Sequence, residues 1–165
     1  MKILSLTLVA VLLSLSTVAF AQSDTQKSFD KLKTLAGSWE GAYEGKPMQV
    51  TLRVTSRGNA LMHEMTMGGA PDDPITMIHL DGDRLLLTHY CDAGNQPTMA
   101  GAVSPDGNTV SFDFLNATNL LKSQPGHMQH VVFNFIDASH HTELWEFAMA
   151  DGKQMSVLLD LKRSK

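Results

Sequence analysis

The sequence predicts an all-β protein: an antiparallel up-and-down β-barrel of about ten strands with one short N-terminal helix. Three observations predict it. Beyond Trp39 the apolar residues recur at every second position, the segments that do so are separated by turn-forming residues, and all but one of the connections are short. Short connections imply antiparallel neighbours in sequential order. Ten such strands remove their own edges by closing on themselves, which favours a barrel over a two-sheet sandwich.

The chain opens with a targeting segment. Lys2 supplies a positive start, ILSLTLVAVLLSLS an apolar core, and Ala19-Phe20-Ala21 a small-x-small cleavage site before Gln22. The apolar run is short for a spanning helix and no stop-transfer pattern follows, so no stable membrane span is expected after cleavage. No Cys follows the cleavage site to take a lipid. Residues 1–21 are therefore read as a signal peptide and 22–165 as one exported domain, periplasmic or secreted.

SDTQKSFDKLKTLAGSW begins that domain. Ser23 or Asp24 caps a helix, Phe29, Leu32 and Leu35 share one face, and Gly37 stops it, giving a helix over about 25–36. WEGAYEG is the first strand. PMQVTLRVTS is the second, with Met48, Val50, Leu52 and Val54 alternating against Gln49, Thr51, Arg53 and Thr55. NALMHEMTM, DPITMIHL, DRLLLTHYC, TMAGAV, NTVSFDFL, MQHVVFNFI, HTELWEFAM and KQMSVLLDLK complete the set. Arg57-Gly58-Asn59, Asp81-Gly82-Asp83, Pro105-Asp106-Gly107-Asn108 and Asp151-Gly152-Lys153 supply the turns. The one long connection, NATNLLKSQPGH at 116–127, carries Leu120 and Leu121 and reads either as a lid over a barrel mouth or as a plain surface loop.

Composition narrows the partners. Without Lys2 the chain has 12 Lys and Arg against 17 Asp and Glu, a formal net charge of −5, and the basic residues form no stripe. Nucleic acid is therefore not an expected partner. Cys91 is the only cysteine, so stability has to come from packing rather than from an intrachain disulfide. Nine methionines remain after the signal segment, a residue type that suits both irregular cores and soft ligand contacts. Nothing in the sequence sets the oligomeric state, and a homo-oligomer is compatible with it.

Gly37-Ser38-Trp39, between the helix and the first strand, resembles the G-x-W signature of lipocalins and related calycin barrels. The resemblance implies that Trp39 plugs the closed end beneath a basic side chain ending the last strand, here Lys162 or Arg163. Over nearly the whole mature chain, GSWEG, LTHYC, DFLNATNL, Gly126-His127-Met128 and HHTELWEF are similar to a bacterial group of exported lipocalin-like domains (the DUF1579-type group). That group implies a fold and almost no chemistry. The haem-binding nitrobindin barrels are a more distant likeness: Gly37, Trp39 and Gly41 match their G-x-W-x-G-x-G element, but Tyr43 replaces the last glycine. The C-terminal His that serves them as iron ligand has no counterpart in QMSVLLDLKRSK.

The candidate site centres on LTHYC. Successive strand residues face opposite ways, so if Leu85 and Leu87 face the interior then His89 and Cys91 do too, while Thr88 and Tyr90 face out. His63 or His79 would complete a zinc or copper ligand set with His89 and Cys91, but no tight ligand spacing supports it, and no metal or cofactor is assigned. His127 and His130 flank Met128 after the long connection, within reach of a barrel mouth, whereas His140-His141 reads as an exposed turn. Glu143 and Glu146 bracket Trp145 on opposite strand faces and form no acid–base pair. Trp145 and Phe147 share a face and belong to an apolar interior.

No nucleophile elbow, phosphate loop or metalloprotease helix motif is present. The sequence thus predicts a β-barrel binding a small apolar or amphipathic molecule through His89, Cys91, His63, His127, Met128 and Trp145. Gly37, Trp39 and Arg163 are its structural elements. The alternatives are a haem- or metal-binding barrel, or an enzyme using His89 with Cys91 or Tyr90.

Overall fold

The protein is described here by a computed structural model covering residues 23–69 and 72–164. The segment read as a signal peptide lies outside the described residues. After helix α1 (Asp24–Lys33) come ten strands: β1 (Gly37–Tyr43), β2 (Lys46–Thr55), β3 (Ala60–Met67), β4 (Ile75–Asp81) and β5 (Arg84–Tyr90), then β6 (Gln96–Val103), β7 (Thr109–Thr118), β8 (His127–Asp137), β9 (His140–Ala148) and β10 (Gln154–Arg163). Each strand pairs antiparallel with its sequence neighbours, and β10 pairs with β1, closing the barrel. The predicted fold class is the observed one.

The meander gives the barrel two different ends. At one end the β2–β3, β4–β5, β6–β7 and β8–β9 turns gather, and α1 covers them. Ser23 caps the helix, its Oγ accepting from the Gln26 amide at 3.1 Å, and the Thr25 hydroxyl donates to the Asp83 carbonyl at 2.8 Å. Phe29, Leu32 and Leu35 then bury themselves in the barrel core. The helix is shorter than predicted. It ends at Lys33 with Thr34 as cap, and Gly37 is the first residue of β1, with φ +135°, instead of the helix stop.

Gly37, Trp39 and Arg163 lock this closed end. Trp39 is fully buried, and its indole N–H donates to the Leu35 carbonyl at 2.8 Å. The Arg163 guanidinium lies 4.2 Å from the Trp39 ring centre and donates to the carbonyls of Thr34, Ala36 and Ala138. A single cation thereby ties the last strand to the linker after α1 and to the β8–β9 turn. A Cβ on Gly37 would stand 2.5 Å from Arg163 Nη1, so only glycine leaves room for the clamp.

Above Trp39 the lower half of the interior is filled. Leu52, Leu61, Ile78, Leu87, Phe112 and Phe133 are each less than 2 % exposed. The opposite end is formed by the β1–β2, β3–β4, β5–β6, β7–β8 and β9–β10 connections, and no helix covers it among the described residues. The long 116–127 connection is a surface loop here. β7 runs on to Thr118, a single bridge joins Leu121 to Gln124, and Leu120 and Leu121 are 36 % and 52 % exposed. The loop is tied sideways to the β5–β6 connection, Asn119 donating to the Gly94 carbonyl at 2.7 Å and Asn95 to the Gly126 carbonyl at 2.8 Å.

Candidate functional site

The open end of the barrel leads into a cavity of about 340 Å³. Strand alternation brings its walls together. β3 contributes Met65 and Met67, β8 Met128, β9 Trp145 and Phe147, and β10 Met155 and Val157. His89 enters from β5, and Cys91 and Asp92 from the connection that follows it. Five methionines stand in the lining, counting Met149. The barrel is thus packed at its closed end and hollow at its open end. An unbranched thioether lets the upper wall adapt to a guest, where branched aliphatic residues fix the lower core.

His89 is the polar group of the cavity floor. It is 3 % exposed, and its Nδ1 lies 2.8 Å from the hydroxyl of buried Thr76. That is its one hydrogen bond among the described residues, which leaves Nε2 as the unpartnered polar edge of a cavity-lining ring. Burial, with the neighbouring His63 adding to it, lowers the His89 pKa to about 4. The imidazole is neutral at pH 7. Depending on which way the Thr76 hydroxyl turns, Nε2 then offers either an N–H donor or a lone pair.

Cys91 stands beside His89 at the mouth. Burial pushes its thiol up most; a hydrogen bond with the backbone of Ala93 opposes this, and the carboxylates of Asp72 and Asp92 each add a smaller upward push. This is the reverse of the electropositive setting that makes a thiolate nucleophile. The ligand atoms of Asp72, Cys91 and Asp92 lie within 4.8 Å of one another. Exposed acidic groups commonly gather in this way without an ion, and Asp92 is exposed.

Beneath the cavity floor lies a polar network in which two of the expected ligand contacts, His63 and Trp145, meet Glu143 and His141, to which the sequence assigned no role. Glu143 is fully buried and accepts three hydrogen bonds. His63 Nε2 reaches Oε2 at 2.9 Å, Trp145 Nε1 reaches the same oxygen at 3.0 Å, and His141 Nε2 reaches Oε1 at 2.9 Å. Burial alone would raise the Glu143 carboxyl. The charge of His63 and the hydrogen bonds from His141 and His63 outweigh it and hold the pKa down at about 2. Because an ionised carboxylate only accepts, both imidazoles present Nε2–H to it. Their Nδ1 atoms have no hydrogen-bond partner among the described residues. Trp145 therefore has two jobs: its ring lines the cavity, and its N–H fixes that ring to a buried anion.

The predicted site residues divide accordingly. His89, Cys91, Met128 and Trp145 share the cavity. His63 points inward, 1 % exposed, but sits below the floor on Glu143, 5.2 Å ring to ring from Trp145. His127 does not line the cavity. Its Nδ1–H donates to the Pro125 carbonyl at 2.8 Å and its ring packs on Phe114, centroids 4.4 Å apart. His130 pairs with Asp113 at 2.7 Å, carried past Met128 by a register shift in β8. Tyr90 is 45 % exposed on the face away from His89, and His79 lies on the opposite face of β4 from Thr76. The reading of His140-His141 as an exposed turn is corrected: both lie in β9, and His141 is fully buried, edge-on to Trp39 at 4.2 Å.

No protein-family model matches the chain, and no curated protein matches it at a significant level. Among solved structures it is similar to the crystal structure of Rv2717c from M. tuberculosis, with 12 % sequence identity, 84 % of this chain and 98 % of that chain covered, and a TM-score of 0.59. At that identity the likeness is one of architecture. The chain has a lipocalin-like, calycin-type barrel fold.

Proposed function

We propose that this barrel is an exported binding protein for a small apolar or amphipathic molecule, held in the cavity at its open end. One observation carries the reading: a methionine- and aromatic-lined hollow of about 340 Å³ whose floor presents one buried imidazole edge without a partner among the described residues. Volumes of this order are at the lower end of small-molecule sites, which are apolar with a few placed polar groups. Burying ~200 Å² of ligand hydrocarbon would contribute about 5 kcal/mol before the cost of association, with His89 orienting one polar atom of the guest. The N-terminal segment 1–21 supports export to the periplasm or beyond.

The test is native mass spectrometry with an absorbance spectrum on residues 22–165 purified from an exporting host. Extra mass of lipid-like size, lost in a Trp145→Ala/Met128→Ala double variant that keeps its fold, is the expected result. A Soret band, or an increment of one metal ion, would replace the reading with the haem or metal alternative and direct attention to His89, Cys91, Asp72 and Asp92. A bare mass that stays bare after incubation with amphipathic molecules would overturn it.

A further inference from the structure

A binding cavity has a sign as well as a size, and here the charged groups in the lining, among the described residues, are all of one sign. The lining includes Asp72 and Asp92 and contains no Lys or Arg. Of the basic residues at the open end, Lys46 is the first residue of β2, paired with cavity-lining Tyr43, while Lys122 and Lys153 lie in the connections; none of the three is in the lining, and Lys153 is taken up by Asp151 at 2.8 Å. His89 adds no positive charge at neutral pH. The lining also carries the aromatic rings of Trp145, Phe147 and, at the open end of β1, Tyr43. The rings and thioethers suit an apolar body; the carboxylates suit a positive group at its outer end.

Resting on the carrier reading above, we propose that the barrel selects cationic amphipaths, molecules with an apolar body and an amine or quaternary ammonium group, over anions of fatty-acid type. The charge of the lining and its aromatic walls point the same way. The rim carboxylates attract the head group. The aromatic walls tolerate a cation that dips below the rim, because ring faces are electron-rich. The cavity also offers no fixed cation to compensate a ligand carboxylate, which would enter close to Asp72 and Asp92 and be repelled. The His89 edge lies on the floor, where it accepts or donates a hydrogen bond from a neutral polar atom at the inner end of the guest.

Three probes with one decyl tail separate head-group sign from hydrocarbon burial: decyltrimethylammonium, decanoate and a decyl polyoxyethylene ether, each below its micelle concentration. Binding to residues 22–165 is read by Trp fluorescence and by calorimetry at pH 7.5. The ammonium probe is expected to bind about tenfold tighter than decanoate at low salt. That ratio is expected to fall towards one in the Asp72→Asn/Asp92→Asn double variant. The wild type supplies a second readout that needs no variant: raising the salt from 0.05 to 0.5 M should erode the preference, because rim charges are screened. Decanoate binding as tightly as the ammonium probe, or a preference untouched by both salt and the double variant, would overturn the inference. If all three bind alike, the carrier reading stands without a charge preference. If none binds, the carrier reading itself falls.

Discussion

Glu143 is the residue on which the middle of the barrel depends. A buried carboxylate is tolerated only when its lone pairs are matched, and here three ring N–H groups match them. Two of those rings can exchange tautomers, but the indole of Trp145 can only donate. Glu143→Gln keeps the shape, removes the charge and replaces one acceptor oxygen by an NH₂ group: with the amide oxygen kept on Trp145, His141 has to turn a lone pair towards the NH₂, and buried N–H groups are left without acceptors. We expect a loss of about 2–4 kcal/mol, read as a lower urea midpoint, together with weaker ligand binding because the Trp145 ring loses its anchor. An unchanged midpoint would show that the network does not hold the floor. Part of this was within reach of the sequence. Trp145 and Phe147 read as one inward face, and the same two-residue period carries that face back to Glu143 and His141. Charge and the adjacent histidine pair argued for solvent instead, because a buried anion is recognisable only from its partners, and His63 lies 80 residues away.

At the scale of elements, the seam between β1 and β10 is the critical joint. It is the last pairing to form in chain order, and only Trp39–Arg163 and Glu40–Lys162 are in register across it. Gly41 lets the strands approach: a Cβ there would stand 2.8 Å from the Asp160 carbonyl oxygen and 2.9 Å from Leu161 Cδ2. Gly41→Val should therefore push β10 outwards and cost about 2–4 kcal/mol, with amide exchange accelerating first in β1 and β10. Uniform exchange across the barrel would argue against a weak seam. Strand identity and order were legible because alternation, turn residues and short connections all describe local chain. The end of α1 was not. Gly37 reads as a helix stop, yet its positive φ serves the start of β1, where the Arg163 guanidinium fills the space a side chain would take. The 116–127 connection leaves a lid and a plain surface loop both open, and what decides for the loop is distant in sequence: the asparagine bonds that tie it sideways join positions about 25–31 residues apart.

For the whole molecule, two of the buried titratable groups, His89 and Glu143, make acid stability fall in two different pH windows. The pKa of His89 is lowered from 6.5 in the unfolded chain to about 4 in the barrel. Between those values the unfolded state binds the proton and the folded state does not, so stability falls as pH drops from about 6.5 to about 4. The difference corresponds to about 3 kcal/mol. Glu143 acts lower down. Its carboxyl is depressed from 4.5 to about 2, so its contribution is complete above pH 4.5 and is lost as pH falls through about 2, again about 3 kcal/mol. The two windows barely overlap. Urea unfolding at half-unit intervals from pH 7.5 to 2.5 should show a decline beginning near pH 6.5 and continuing below 4.5. His89→Asn should flatten the upper part alone, and Glu143→Gln the lower part alone, each from a lower starting stability where a hydrogen bond is lost. A ligand that takes a hydrogen bond from neutral His89 would deepen the upper step, because protonation would then cost the ligand contact as well as the fold. Should the upper step persist in His89→Asn, the acid sensitivity must arise from another group, and the assignment of His89 as the neutral, buried edge of the cavity floor would fail.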